Sequence, residues 1–163
     1  MNLDEIPSKA RLPTKYGEFN IRVFHEKETG LDHVALYIGD MSGPDPVLMR
    51  VHSECLTGDA FGSLRCDCGP QLDAALQAIS KRGWGVLLYL RQEGRGIGLV
   101  NKLKAYNLQD EGLNTYEANV KLGHQEDARS FDAAIEVLKY LGVKKNQAAL
   151  TTTLAALPAH IGA

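Results

Sequence analysis

The chain has 163 residues, 44% hydrophobic and 23% charged, which is room for one domain with a real core and not comfortably for two. Eighteen Lys and Arg stand against twenty Asp and Glu, so no bulk charge recruits nucleic acid or an anionic membrane, and any anion site must be local. The longest aliphatic or aromatic run, Val86 to Leu90, has five residues where a bilayer span needs about 20, which excludes a transmembrane helix. The opening MNLDEIP is acidic and polar where a secretory signal carries a basic region and then an apolar one, so a cytoplasmic location is expected. Three cysteines cannot complete a disulfide framework within one chain, and a reducing compartment is the simpler context for them.

Along the chain, Glu18 to Phe24, His33 to Gly39 and Val47 to His52 read as short strands rich in β-branched or aromatic residues. Turn signals at Thr29-Gly30 and Gly43-Pro44 separate them and predict hairpins with antiparallel pairing. From Pro70 the period changes. Leu72, Ala75, Leu76 and Ile79 fall at i, i+3, i+4, i+7 ahead of Gly83, the pattern of an amphipathic helix. Val86 to Arg91 then reads as a buried strand, and Leu99, Val100, Leu103 and Tyr106 mark the apolar stripe of a second helix. A third helix is expected from about Asp127 to Leu141, with Phe131, Ile135 and Leu138 inward and Gly142 as its stop. Strands first and helices mostly later argue an α+β fold in one unit over 1–163, antiparallel at its amino end.

Cys55, Cys66 and Cys68 lie within fourteen residues, and their thiolates are the soft ligands zinc favours in a reducing cell. A closed structural site has four protein ligands, whereas a catalytic zinc keeps one position for water. Two alternatives remain: a closed Cys3His site using His25, His33, His52, His124 or His160, and three unmetallated buried thiols. His52-Ser53-Glu54, just before Cys55, partly matches the His-x-Glu of zinc nucleobase deaminases, which use a downstream Cys-x-x-Cys instead of Cys-x-Cys.

The run RQEGRGIG over 91–98 places three glycines at alternate positions after a strand and before a helix, where backbone amides and Arg95 can hold phosphate oxygens. Its spacing, with no surrounding β-α-β unit expected, sets aside a dinucleotide fold, and the same glycines also suit a plain tight turn. Asp127 and Arg129, at the expected start of the third helix, suit an anion site or, more simply, an N-cap and a solvated cation. Tyr106 on its own reads as a core residue with its hydroxyl at the edge.

Together these residues resemble the GTP cyclohydrolase II family, zinc enzymes that open guanosine triphosphate at the start of riboflavin synthesis. The likeness runs through RVHSECLTGD at 50–59, SLRCDCG at 63–69, RQEGRGIG at 91–98 and the helix from Asn101 to Asp110. Thr115 to Asn119, Leu122-Gly123, Asp127 and Arg129 continue it, so that it covers Leu12 to Val143.

The resemblance implies zinc on Cys55, Cys66 and Cys68, and nucleotide and magnesium-phosphate contacts from Arg50, Val51, His52, Ser53, Glu54, Gln71, Glu93, Gly94, Arg95 and Thr115. It implies hydrolytic attack at C8 of the guanine, opening of the imidazole ring and release of formate, polarised by the metal and assisted by Tyr106 as the catalytic tyrosine. It also implies loss of pyrophosphate with Arg129 as nucleophile and Asp127 as proton acceptor. A nucleophilic guanidine must first lose a proton held with a pKa above about 12, so stabilising the phosphoryl transition state as a cation is the simpler task for Arg129. The family's homodimer is the implied assembly.

Residues 144–163, KKNQAALTTTLAALPAHIGA, depart from the family pattern, and Thr151, Thr152 and Thr153 do not match the family's nucleotide-binding threonine and lysine. An exposed sheet edge or a dimer contact is the expected consequence. The readings that compete with the hydrolase are a catalytically impaired GTP-binding homologue, a zinc nucleobase deaminase and, last, a zinc-stabilised nucleic-acid module, for which no basic patch with interleaved aromatics is visible.

Overall fold

The computed structural model describes residues 2–125 and 129–144. Five strands, β1 (Leu3–Thr14), β2 (Gly17–Glu26), β3 (Asp32–Ile38), β4 (Met49–Ser53) and β5 (Gly85–Leu90), form one sheet in the order β1-β2-β3-β5-β4. β1, β2 and β3 pair antiparallel and β3 meets β5 antiparallel as well; the Thr29-Gly30 signal marks the β2–β3 hairpin, whereas Gly43-Pro44 closes none, because β5 lies between β3 and β4. The sequence reading omits β1, whose charges and two prolines hide its strand character. Proline is tolerated there because β1 is an edge strand, with a register shift between Ile6 and Ala10.

The last pairing corrects the expectation of antiparallel neighbours, because β4 runs parallel to β5 from Met49↔Val86 to Ser53↔Leu90. Parallel neighbours require a crossover, here the short α1 (Leu56–Asp59) and the longer α2 (Cys68–Arg82). The glycine run therefore does follow a β-α-β unit, contrary to the sequence reading, but it leaves the second strand of that unit and not the first. The cysteines occupy the crossover itself.

β5 explains why its run is apolar without alternation. Val86, Leu88 and Leu90 pack on one face with Phe24, Ala35, Met49 and the helix α5 (Asp132–Tyr140), while Leu87 packs on the other with Phe19 and α2. A strand covered on both faces has no polar side to show. Val86, Leu87, Leu88 and Leu90, all fully buried, each contribute about 1.5–3 kcal/mol of transfer free energy, which makes β5 the axis of both clusters.

α2 forms as expected, burying Ala75, Leu76 and Ile79 and stopping at Gly83, which adopts φ +73° and closes the helix with bonds to the Ile79 and Ser80 carbonyls. Two other stripes are corrected. α5 starts at Asp132, so Arg129 precedes it and does not lie in its first turn, and Asp127 lies outside the described residues. Its buried face is Ala133, Ala134, Val137 and Leu138, whereas Phe131 and Ile135 are exposed. Two small alanines let the helix approach the sheet closely, and this rotates the larger Ile135 outward. Leu138 and the stop at Gly142, φ +85°, stand as read.

In α3 (Leu99–Asp110), Val100 and Leu103 are exposed and Ala105 is the buried residue. Its inward face is Lys102, Ala105, Tyr106 and Gln109, a polar surface that lines a cavity instead of a core. α4 (Thr115–Lys121) is absent from the sequence reading. Its signal was present, since Asn114 and Glu117 form a reciprocal capping box with both bonds at 2.9 Å.

Candidate active site

The carboxyl ends of β4 and β5, the glycine loop, α3 and the start of α4 converge on a cavity of about 230 Å³. Its walls are Ser53, Glu54, Cys55, Arg65, Cys66, Cys68, Gln92, Gly94, Arg95, Ile97, Lys102, Ala105, Tyr106, Gln109, Thr115, Asn119 and Arg129. Polar groups gather here because parallel strands end together, and the chain leaves each of them through a loop or a helix start.

At one wall the three cysteine sulfurs lie within 4.8 Å of one another, with Cys55 Sγ and Cys66 Sγ 3.6 Å apart. Cys55 caps α1, Cys68 opens α2 and Cys66 lies between them, so the crossover bends the three thiols together. Two glycines make the bend possible. A Cβ on Gly58 would stand 2.7 Å from Cys66 Sγ and 3.1 Å from Cys55 Sγ, and one on Gly69 would meet the Gly58 carbonyl oxygen at 2.4 Å. A cradle that only glycine allows, holding three soft donors, fits a thiophilic metal ion such as zinc. Among the described residues this is the one metal-type cluster, and it contains no histidine. His160 lies outside the described residues.

The sulfurs differ electrostatically. Burial pushes the Cys55 thiol up, but the Lys102 ammonium at 3.0 Å, with the Gly58 amide and Thr57, outweighs it and holds Cys55 below the ordinary thiol range. Burial raises Cys68, and the hydrogen bond to Cys66 and the neighbouring charge of Cys55 raise it further. Burial alone would lower Lys102, yet its bonds to Glu93 at 2.6 Å and to Cys55 hold it above the usual lysine range.

His52 does not face the sulfurs. It is buried, stacked on Tyr89 at 5.6 Å, with Nε2 3.0 Å from Asp59 Oδ1. Asp59 Oδ2 also accepts the Tyr89 hydroxyl at 2.7 Å and the Cys55 backbone N–H at 3.0 Å. Burial works to raise the Asp59 carboxyl, but the bonds from His52 and Tyr89 win and lower it. Asp59 thus fixes the main chain of a cysteine from beneath, a role that its place in the motif does not announce.

Of the other sequence candidates, Ser53, Glu54, Gly94, Arg95, Thr115, Tyr106 and Arg129 face the cavity. The Tyr106 hydroxyl is 3.0 Å from Thr57 Oγ1, and Arg65 stacks over its ring at 4.4 Å while bonding its carbonyl and Asp110. Arg91 Nε pairs with Glu54 at 2.9 Å, Arg95 lies over the Tyr116 ring, and Thr115 accepts from Gln109 at 3.1 Å. Arg129 stands over Phe131. Arg50, Val51, Gln71 and Glu93 do not line the cavity. Arg50 donates to Gln71 at 2.7 Å, Val51 packs on the core, and Glu93 receives the Leu56 N–H at 2.8 Å.

Lys102, Arg65 and Gln109 were not singled out from sequence. The available signal was the spacing of Lys102, Tyr106 and Gln109 on one helical face, masked by the apolar residues interleaved with them. Among the described residues no helix is long and apolar enough to cross a membrane.

The GTP cyclohydrolase II family model matches residues 5–155, wider at both ends than the span read from the motifs. GTP cyclohydrolase-2 of Proteus mirabilis is 61% identical over 136 residues, 83% of this chain and 68% of that one. The Aeromonas hydrophila protein of the same name is 59% identical, over 84% of this chain and 70% of its own. A solved two-domain 3,4-dihydroxy-2-butanone 4-phosphate synthase from A. baumannii overlaps 89% of this chain and 33% of its own at 18% identity, with a TM-score of 0.43, too distant to inform the site. The family model and the close relatives agree with the cysteine-lined cavity in one conclusion: the chain belongs to the GTP cyclohydrolase II family, and with it to the hydrolases.

Proposed function

We propose that this chain hydrolyses GTP at a zinc centre, opening the imidazole ring of the guanine and releasing formate and pyrophosphate. The product is then 2,5-diamino-6-(5-phosphoribosylamino)pyrimidin-4(3H)-one, and the reaction is the first of riboflavin biosynthesis. The observation that carries this reading is the convergence of three cysteine sulfurs on one cavity with Tyr106, Arg95 and Arg129, in a member of this family.

Cys55, Cys66 and Cys68 would hold the zinc, which when bound supplies Lewis acidity and acidifies a water to a pKa of about 7. The chain's own groups do the rest. Tyr106 presents a hydroxyl that can give or take a proton beside the opening ring, and Thr57 at 3.0 Å keeps it oriented. Ser53, Glu54, Gly94, Arg95 and Thr115 form the wall against which the nucleotide lies, with Arg91 locking the Glu54 carboxylate. Arg50, Val51, His52, Gln71 and Glu93 complete the nucleotide-binding set that the family likeness implies.

A water attacks the α-phosphorus as its bond to the departing pyrophosphate oxygen breaks, Asp127 accepts the proton this water loses, and Arg129 stabilises the phosphate charge, a task that suits a permanently protonated guanidinium. Magnesium, when bound with the nucleotide, would neutralise the triphosphate charge. The unit is a single catalytic domain over 1–163, working in the cytoplasm as a homodimer.

The test is incubation of the zinc-loaded protein with GTP and Mg²⁺, following formate, pyrophosphate and the pyrimidine absorbance together. All three are expected, and Cys66→Ser should abolish formate. GTP binding without turnover overturns the proposal in favour of an impaired homologue, and ammonia from an intact ring overturns it in favour of deamination.

A further inference from the structure

One ion pair, between the cavity-lining Lys102 and Glu93 behind it, touches the sulfur cluster directly. The Lys102 ammonium donates to Glu93 Oε1 at 2.6 Å and to Cys55 Sγ at 3.0 Å. Both side chains are close to 90% buried, Lys102 at 12% exposure and Glu93 at 11%. Glu93 in turn accepts the Gly94 N–H at 2.9 Å and, through its other oxygen, the N–H of Leu56 at 2.8 Å, the residue after Cys55. The start of α1, the glycine loop and α3 are therefore joined through one carboxylate and one ammonium.

The arrangement has a charge logic. Three thiolates around a divalent ion leave a net negative centre, and Glu93 adds a further negative charge nearby. Lys102 supplies a positive charge between them, within hydrogen-bond reach of both. Partners outside the ligand set orient metal ligands and tune their electron donation. We propose that Lys102 is a positioning residue of the metal centre, fixing the Cys55 sulfur, withdrawing charge from it and tying it through Glu93 to the glycine loop. The inference rests on the zinc reading above and goes beyond it by naming the group outside the ligand set that sets the metal's environment.

The test uses the full-length protein with cobalt(II) as the spectroscopic probe, in the parent, Lys102→Arg, and the double variant Lys102→Met with Glu93→Gln, which leaves no unpaired buried charge. A thiolate that loses its donor gives up an electron more readily. The double variant should therefore move the sulfur-to-cobalt charge-transfer band to lower energy, and with Cys55 Sγ no longer held in place beside the other two sulfurs it should weaken zinc by about tenfold in competition with a chromophoric chelator. Lys102→Arg keeps the cation and should restore both readouts toward the parent values. A purely structural pair predicts a less stable protein with an unmoved band, and that result, or unchanged zinc affinity in the folded double variant, overturns the inference while sparing the zinc reading. A parent protein that shows no sulfur-to-cobalt band overturns the zinc reading and this inference together.

Discussion

Gly58→Ala isolates the packing that gathers the cysteines. Gly58 lies in α1 with no positive φ, so alanine fits its backbone and the perturbation is steric. The new methyl would sit 2.7 Å from Cys66 Sγ, about 0.7 Å short of the 3.4 Å at which ordinary contact begins. It would also press on Cys55 Sγ and Cys68 Cβ at 3.1 Å, so no single rotation relieves it. Overpacking costs about 1–3 kcal/mol, and replacing a helical glycine returns about 1, so the net loss of fold stability is about 0–2 kcal/mol. Metal–ligand distances tolerate only about 0.2 Å, and a sulfur displaced by several times that cannot ligate with the others. The folded variant should therefore survive while zinc affinity falls by about 100-fold or more, measured by metal content after dialysis and by chelator competition. Gly62→Ala is the control: at φ +69° with nothing within 4 Å, it costs about 1 kcal/mol of backbone strain and leaves zinc binding intact. Parent-like zinc affinity in Gly58→Ala would falsify the packing argument.

Three further outcomes follow from the same contacts. In chemical denaturation Leu138→Ala should lose about 2–5 kcal/mol and Ile135→Ala less than about 0.5, because Leu138 is 8% exposed and Ile135 is 54% exposed; equal losses would refute the assignment of the inner face of α5. Asp59→Ala removes the partner of His52, Tyr89 and the Cys55 amide at once and should cost about 3 kcal/mol, against about 1 for Tyr89→Phe, read as shifts in denaturation midpoint. Arg95→Gly relieves a non-glycine residue at φ +58° while removing a cation from the cavity. Thermal stability should hold or rise while the KM for GTP rises by about tenfold or more, and an unchanged KM would detach Arg95 from the substrate.

The cysteine cluster was legible because its spacing is local. Cys55, Cys66 and Cys68 are bent together by one crossover, and fourteen residues of sequence contain the whole device. The partners of those cysteines were not legible. Lys102 reaches Cys55 across 47 positions, Tyr89 reaches Asp59 across 30, and nothing in either local segment requires the meeting. The inward face of α3 escaped for a different reason: helical periodicity marks apolar stripes, and this helix turns polar groups inward because a cavity, and not a core, lies beneath it.

The sequence by itself determined the elements whose stability is written in their own residues. α2 with its apolar period and left-handed Gly83 is one, and β5 with an apolar run that suits burial on both faces is another. Only the tertiary structure decided that β4 lies parallel to β5, since the period of a strand states which side chains share a face but not which neighbour it joins or in which direction. The same limit set the rotation of α5, where two alanines fit against the sheet more closely than Ile135 could, and the union of Glu93, Lys102 and Cys55 in one cluster. Those choices depend on free energies gained when distant segments pack, which no local window contains.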